Sequence, residues 1–141
     1  MSLPSIMPSN NNTVWTNGTF DVLHMGHIKL FREARKLAGP QGQVIVGTDS
    51  DQRVSELKGP DRPINNLYDR VDFLRAIKYI DVVCTYSSEH NLEALINQYR
   101  PDILLIGDDY IGKRVVGSEF AKNVVFYPRY GGLSSSKIIN R

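Results

Sequence analysis

Two histidines set three positions apart, His24 and His27, stand on either side of Gly26. They fall where a turn carrying Gly18 runs into the apolar-periodic stretch that begins at Ile28. A helix starting there presents backbone N–H groups and the positive end of its dipole, and two imidazoles add donors beside them. Gly18 lets the backbone turn or approach a ligand closely. This is the chemistry of a phosphate cradle, built without a P-loop or a G-x-G-x-x-G fingerprint, neither of which the chain contains. A histidine at a helix start also serves simply as a cap. A zinc site would need at least a third ligand. Asp21 is the one near candidate and His90 belongs to a distant helix cap, so no metal ligands are assigned.

Three further stretches carry polar chemistry. In "PRYGGLSSSKI" (128–138), Arg129 offers a planar donor fork, and Ser134, Ser135 and Ser136 open a closing helix, which together make a second anion site. The serines would cap that helix in either case. In "LKGPDRPINNLYDR" (57–70), Lys58 sits on a glycine-hinged loop from which it can swing over a polyphosphate, with Arg62 on the same loop. In "IGDDYIGKRVVGSEF" (106–120), Asp108 and Asp109 follow an apolar run directly, where paired acids also make ordinary turns. Met25 and Tyr110 read as packing residues.

The elements that must position these groups alternate between short β-rich runs and helical patterns, the signature of a parallel sheet. Strands are expected at 13–16, 43–48, 82–86, 102–107 and 123–128. The run from Ile28 through Phe31 and Ala34 to Ala38 keeps a helical period until Gly39-Pro40 ends it. A short helix capped by Asp49 or Ser50, one over 67–79, one inside "SSEHNLEALINQY" and a last one after the closing serines complete the set. Strands this apolar are covered on both faces. The expected fold is α/β, a doubly wound five-stranded parallel sheet with helices on both faces. Its ligands belong at the carboxyl ends of the strands. Every polar stretch above lies on a loop opening at that edge.

The bulk numbers agree. The chain has 141 residues, enough for one domain, with 41% hydrophobic and 23% charged residues. Its net charge of +2 gives no argument for nucleic acid or an anionic membrane. The single cysteine, Cys84, cannot form an internal disulfide and fits a reducing, cytoplasmic setting. No stretch approaches the roughly 18 apolar residues of a membrane span. Residues 1–12, "MSLPSIMPSNNN", lack the regions of a signal peptide and read as a flexible leader, leaving 13–141 as a single domain.

"GTFDVLHMGHIKL", preceded by a strand and matched at the far end by "PRYGGLSSSKI", resembles the H-x-G-H nucleotidyltransferase superfamily and its cytidylyltransferase branch. The resemblance runs from about Val14 to Ile138 and implies a Rossmann-like fold. It implies that Thr19, Phe20 and Asp21 join Gly18 and Gly26 at the nucleotide, and that Arg70 reaches the phosphates. It also places Asp108 and Asp109 at the nucleotide. The implied reaction passes a nucleotidyl group from a nucleoside triphosphate, with Mg²⁺, to a phosphorylated polyol or sugar, releasing pyrophosphate. His24, His27, Lys58 and Arg129 would be its catalytic residues, and the protein would be a homodimer.

Within the superfamily the resemblance divides. "GTFDVLHMGHIKL", "AIKYID" and "GDD" look like glycerol-3-phosphate cytidylyltransferases, favouring CTP and glycerol 3-phosphate. "ELKGPDRPIN" and "VVGSEF" look like the adenylyltransferases acting on heptose 1-phosphate, favouring ATP. The expectation taken here is CTP, with ATP and heptose 1-phosphate as the alternative. A phosphoacceptor receiver domain would need an aspartate at the end of the third strand, and "VVCTYSSEH" supplies none. A non-catalytic nucleotide-binding protein would use the same residues and remains the rival class.

Overall fold

The computed structural model of the chain describes residues 11–128. Arg129, Ser134, Ser135, Ser136 and the expected closing helix lie outside the described residues.

Five strands form one sheet: β1 (Thr13–Gly18), β2 (Gln43–Asp49), β3 (Val82–Tyr86), β4 (Ile103–Gly107) and β5 (Asn123–Tyr127). Their spatial order is β3-β2-β1-β4-β5 and every pairing is parallel. Four helices connect them: α1 (Met25–Ala38), α2 (Asp51–Lys58), α3 (Leu67–Arg75) and α4 (Glu89–Tyr99). Single 3₁₀ turns follow at Asp108–Tyr110 and Ser118–Phe120. This is the Rossmann-like α/β architecture that the run of elements implied.

Strand periodicity divides the core between the two faces, because neighbouring side chains point oppositely. Val14, Val44, Val46 and Leu105 pack with Phe31, Ala34 and Ala38 of α1 and with Leu74 of α3. Trp15, Ile45 and Leu104 face the other way, onto Leu92 and Ile96 of α4. Helices therefore cover both faces. Complete burial of side chains such as Phe31 or Ile45 contributes about 1.5–3 kcal/mol each.

Strand order sets where a ligand can enter. β1 matches β2 along six register pairs but meets β4 only at Val14↔Ile103 and Trp15↔Leu104. Beyond Trp15 the chains of β1 and β4 part. The connections run to opposite sides there, so a crevice opens at the carboxyl edge.

Two boundaries differ from expectation. Asn12 is part of the fold, not of a leader: its N–H and side-chain amide donate to Ala38 and Leu37 carbonyls, and its carbonyl accepts from Gln43. Gly42 is needed beside it, since a Cβ there would lie 2.4 Å from the Asn12 carbonyl oxygen. Helix α3 stops at Arg75 instead of reaching 79. The backbone from Ala76 to Ile80 tightens into turns that bond three residues back, which brings the chain round into β3.

Candidate active site

The crevice is a cleft of about 680 Å³, within the usual range for a small-molecule site. Its floor is the segment from Thr16 to Phe20 with the start of α1. One wall holds Asp49, Arg53, Lys58 and Arg62, with Tyr86 at the end of β3. The other holds Gly107, Asp109, Tyr110 and Arg114, with Tyr127 and Pro128 after β5.

His24 and His27 line this cleft, and together they cap α1. His24 is the N-cap residue: its Nδ1 accepts the Gly26 N–H at 3.0 Å. His27 returns the bond, its Nδ1 accepting the His24 N–H at 3.2 Å. This is a capping box made of two imidazoles in place of the usual hydroxyl and carboxylate. It fixes the tautomer. With Nδ1 accepting, a neutral ring carries its proton on Nε2 and can only donate there. The rings stack at 4.0 Å, and His27 meets the edge of Phe20 at 5.5 Å. Burial, and secondarily the neighbouring His24, push the pKa of His27 down to about 4. At neutral pH His27 is thus an uncharged Nε2–H donor.

Several expected site residues take other work. Gly26 lines the cleft, but its N–H is spent on His24 and is not offered to an anion. Phe20 is buried with a positive φ of 48°, propping His27 on one side and Phe31 on the other. Gly18 makes room for it, since a Cβ there would sit 3.1 Å from the Phe20 ring. Thr19 lines the cleft while its carbonyl accepts from Thr48 Oγ1 and Arg70.

Asp21 and Arg70 are corrected more sharply, because neither lines the cleft and both are fully buried. Asp21 accepts the backbone N–H groups of Ile64 and Asn65, each at 2.8 Å. Arg70 donates to the carbonyls of Asn65 and Thr19, to Thr48 Oγ1 and to Asp51 Oδ1, at 2.8–3.0 Å. A guanidinium committed to four partners in the interior does not face a ligand.

Lys58 does line the cleft, but as the last residue of α2 and not within a loop; Gly59, with φ 110°, turns the chain after it. Asp109 reaches the cleft whereas Asp108 does not. Tyr110, read as packing, is 41% exposed on the cleft wall, and Met25 is likewise exposed.

The sequence reading missed the polar group at the ends of β2 and β3. Tyr86 is 4% exposed, its hydroxyl 3.5 Å from the Asn17 amide and 3.4 Å from Asp49 Oδ1. Burial and the Asp49 charge hold that phenol well above its ordinary pKa, so it stays protonated. Asp49 is paired with Arg53 at 3.6 Å. The available signal was position: both Asp49 and Tyr86 end a strand at the ligand edge.

Among the described residues no group of three or more His, Cys, Asp or Glu side chains could hold a metal ion, and no helix is long and apolar enough to cross a membrane.

The sheet is parallel, its crevice opens beside β1, and a paired-histidine helix start lines it. Residues 15–141 match the family described as cytidylyltransferase-like, and the chain belongs to that family. It is similar to the bifunctional protein HldE of Campylobacter fetus subsp. fetus, 42% identical over 133 residues that make up 94% of this chain and 28% of the relative. The HldE of Nitratiruptor sp. is 43% identical over 128 residues, 91% of this chain and 27% of its own length. The chain thus spans about a quarter of the length of these curated relatives. Among solved structures, a lipopolysaccharide core biosynthesis protein from Thermoplasma volcanium shares the fold. Its TM-score is 0.64 at 23% identity, covering 84% of this chain and 98% of that one.

Proposed function

We propose that this domain transfers an adenylyl group from ATP to a phosphorylated sugar of the heptose 1-phosphate kind, releasing pyrophosphate. The observation that carries the reaction class is the imidazole capping box. It supplies two oriented Nε2–H donors on a cleft at the strand edge that Lys58 also lines. The acceptor's phosphate oxygen is already ionised at neutral pH, so its attack on the α-phosphorus needs no protein base. It needs in-line placement and donors for the charge growing on the α-phosphate and the leaving pyrophosphate. His24 and His27 donate to that charge, and Lys58 holds the β,γ end. Arg129 and Ser134–Ser136 would join it there.

Mg²⁺ would come bound to the triphosphate, keeping waters and phosphate oxygens as ligands. The described residues fit that arrangement better than a resident ion: Asp49 is engaged by Arg53 and Tyr86, and Asp109 is the other cleft-lining carboxylate. The ion's part is to neutralise phosphate charge.

The choice of ATP over CTP replaces the expectation drawn from Gly107-Asp108-Asp109. Support comes from the alignment with bifunctional HldE proteins over nearly the whole chain, together with "ELKGPDRPIN" and "VVGSEF". "GDD" is a short motif, and both adenine and cytosine present an exocyclic amine to a carboxylate. The test is kcat/KM for ATP and CTP against heptose 1-phosphate and glycerol 3-phosphate, read by pyrophosphate release. ATP with heptose 1-phosphate is expected to lead by at least about tenfold, or about 1.4 kcal/mol of transition-state binding. A lead for CTP with glycerol 3-phosphate reverses the substrate assignment. Nucleotide binding without pyrophosphate release in any combination makes the protein a non-catalytic binder.

A further inference from the structure

We propose that Arg62 is a ligand of the departing pyrophosphate, and that Asp21 and Arg70 are positioning residues that hold it at the cleft. The proposal rests on the nucleotidyl-transfer reading and assigns residues within it. Arg62 lines the cleft on the wall that carries Lys58, and its side chain is only 10% exposed. Its Nε lies 3.4 Å from Asp21 Oδ2, so the fully buried carboxylate engages that edge of the guanidinium. A planar fork held in this way suits a phosphate oxygen pair better than a flexible ammonium does.

What fixes Arg62 is a clamp on the loop that bears it. Asp21 accepts from Ile64 and Asn65, and the Asn65 side chain donates back to the Asp21 carbonyl at 2.6 Å. Arg70 then ties the Asn65 carbonyl to Thr19, to Thr48 at the end of β2 and to Asp51 in the first turn of α2. Through two buried charges, the loop carrying Arg62 is registered against the segment carrying the histidines. Burying charges costs desolvation that a hydrophobic pair would avoid. Here they set the distance between the donors at the α-phosphate and the cation at the leaving group, the separation an in-line displacement must hold.

Calorimetry of pyrophosphate with Mg²⁺ on the full chain tests this, with substrate KM values measured alongside. Arg62→Ala is expected to weaken pyrophosphate binding by about tenfold or more, with partial recovery in Arg62→Lys. Asp21→Asn is expected to weaken it in the same direction, raising the KM for triphosphate while the acceptor KM holds. Because Asp21 acts through Arg62, adding Asp21→Asn to Arg62→Ala should weaken binding no further. If Asp21→Asn does not fold, Asn65→Ala takes its place and should matter only while Arg62 is present. Pyrophosphate affinity within about twofold of the parent in Arg62→Ala, or full additivity in the double variant, overturns the proposal. A parent protein that binds neither pyrophosphate nor nucleotide overturns the transfer reading itself, and this assignment with it.

Discussion

Helices α1 and α3 open with similar chemistry and use it oppositely. Each carries a nitrogen-rich side chain within its first turn: His27 as the third residue of α1 and Arg70 as the fourth of α3. In α1 that group stands on the cleft; in α3 it is buried among carbonyls. The difference lies in what precedes each helix. α1 follows β1 directly at the crevice between β1 and β4, so its N-terminus opens toward a ligand. α3 follows α2 and the loop from Gly59 to Asn66, which folds over its first turn and is fastened by Asp21. A nitrogen donor in a helix's first turn is a ligand group only where the chain leading into it leaves that turn uncovered.

The largest expected effect tests the buried side. Arg70→Met leaves the Asn65 carbonyl without its Arg70 donor, reduces the Thr19 carbonyl to its bond from Thr48, and frees the half-exposed Asp51 carboxylate to water. It should lower the unfolding free energy by about 3 kcal/mol or more, read by urea denaturation. A variant with parental stability but lost triphosphate affinity would return Arg70 to the ligand side.

The next separates the two jobs of His24. Asparagine can accept the helix N–H in its place but offers no donor equivalent to Nε2. His24→Asn should therefore melt near the parent while kcat drops about a hundredfold, as for a lost oxyanion donor. His24→Ala should lose the turnover and a further ~1 kcal/mol of stability. Near-parental turnover in His24→Asn would reduce the histidine to a cap.

A smaller effect follows from proton linkage. The folded pKa of His27 is about 4, below the ordinary 6.5, so between those values the unfolded chain binds more protons. The stability it contributes is complete above about pH 6.5 and is lost as the pH falls through about 4. Protonation at Nδ1 also removes the acceptor for the His24 N–H. Melting temperatures from pH 7 to pH 4 should fall, and less steeply in His27→Gln, which keeps an N3 acceptor without an imidazole.

The smallest concerns the exposed end of α2. Trypsin should cut after Lys58, and ATP with Mg²⁺ should slow the cut. Arg62 precedes Pro63, a bond trypsin does not cut, so Lys58 is the site in this stretch that reports on nucleotide. Equal cleavage at Lys58 in both conditions would remove it from the triphosphate.

Strand number, parallel class and the His24–His27 helix start were legible in the sequence because each rests on short-range pattern. Short apolar runs bounded by turn residues, a glycine before a helical period, and serine caps report local conformation. The roles of Asp21 and Arg70 were not legible. Apart from Asn65, five residues before Arg70, their partners are 19 to 51 residues away, and a charge looks the same in sequence whether it meets phosphate or a buried carbonyl. Tyr86 and Asp49 were hidden for a related reason. An apolar strand ending in a tyrosine or an aspartate reads as a boundary until strand order puts β2 beside β1 and β3 beside β2, which brings the Tyr86 hydroxyl to Asn17 and Asp49. The sequence by itself determined which segments became strands and helices, and that histidines stand where α1 begins. Only the tertiary structure decided which polar side chains share the cleft, because that depends on how β1 and β4 diverge and on which loop covers which helix end.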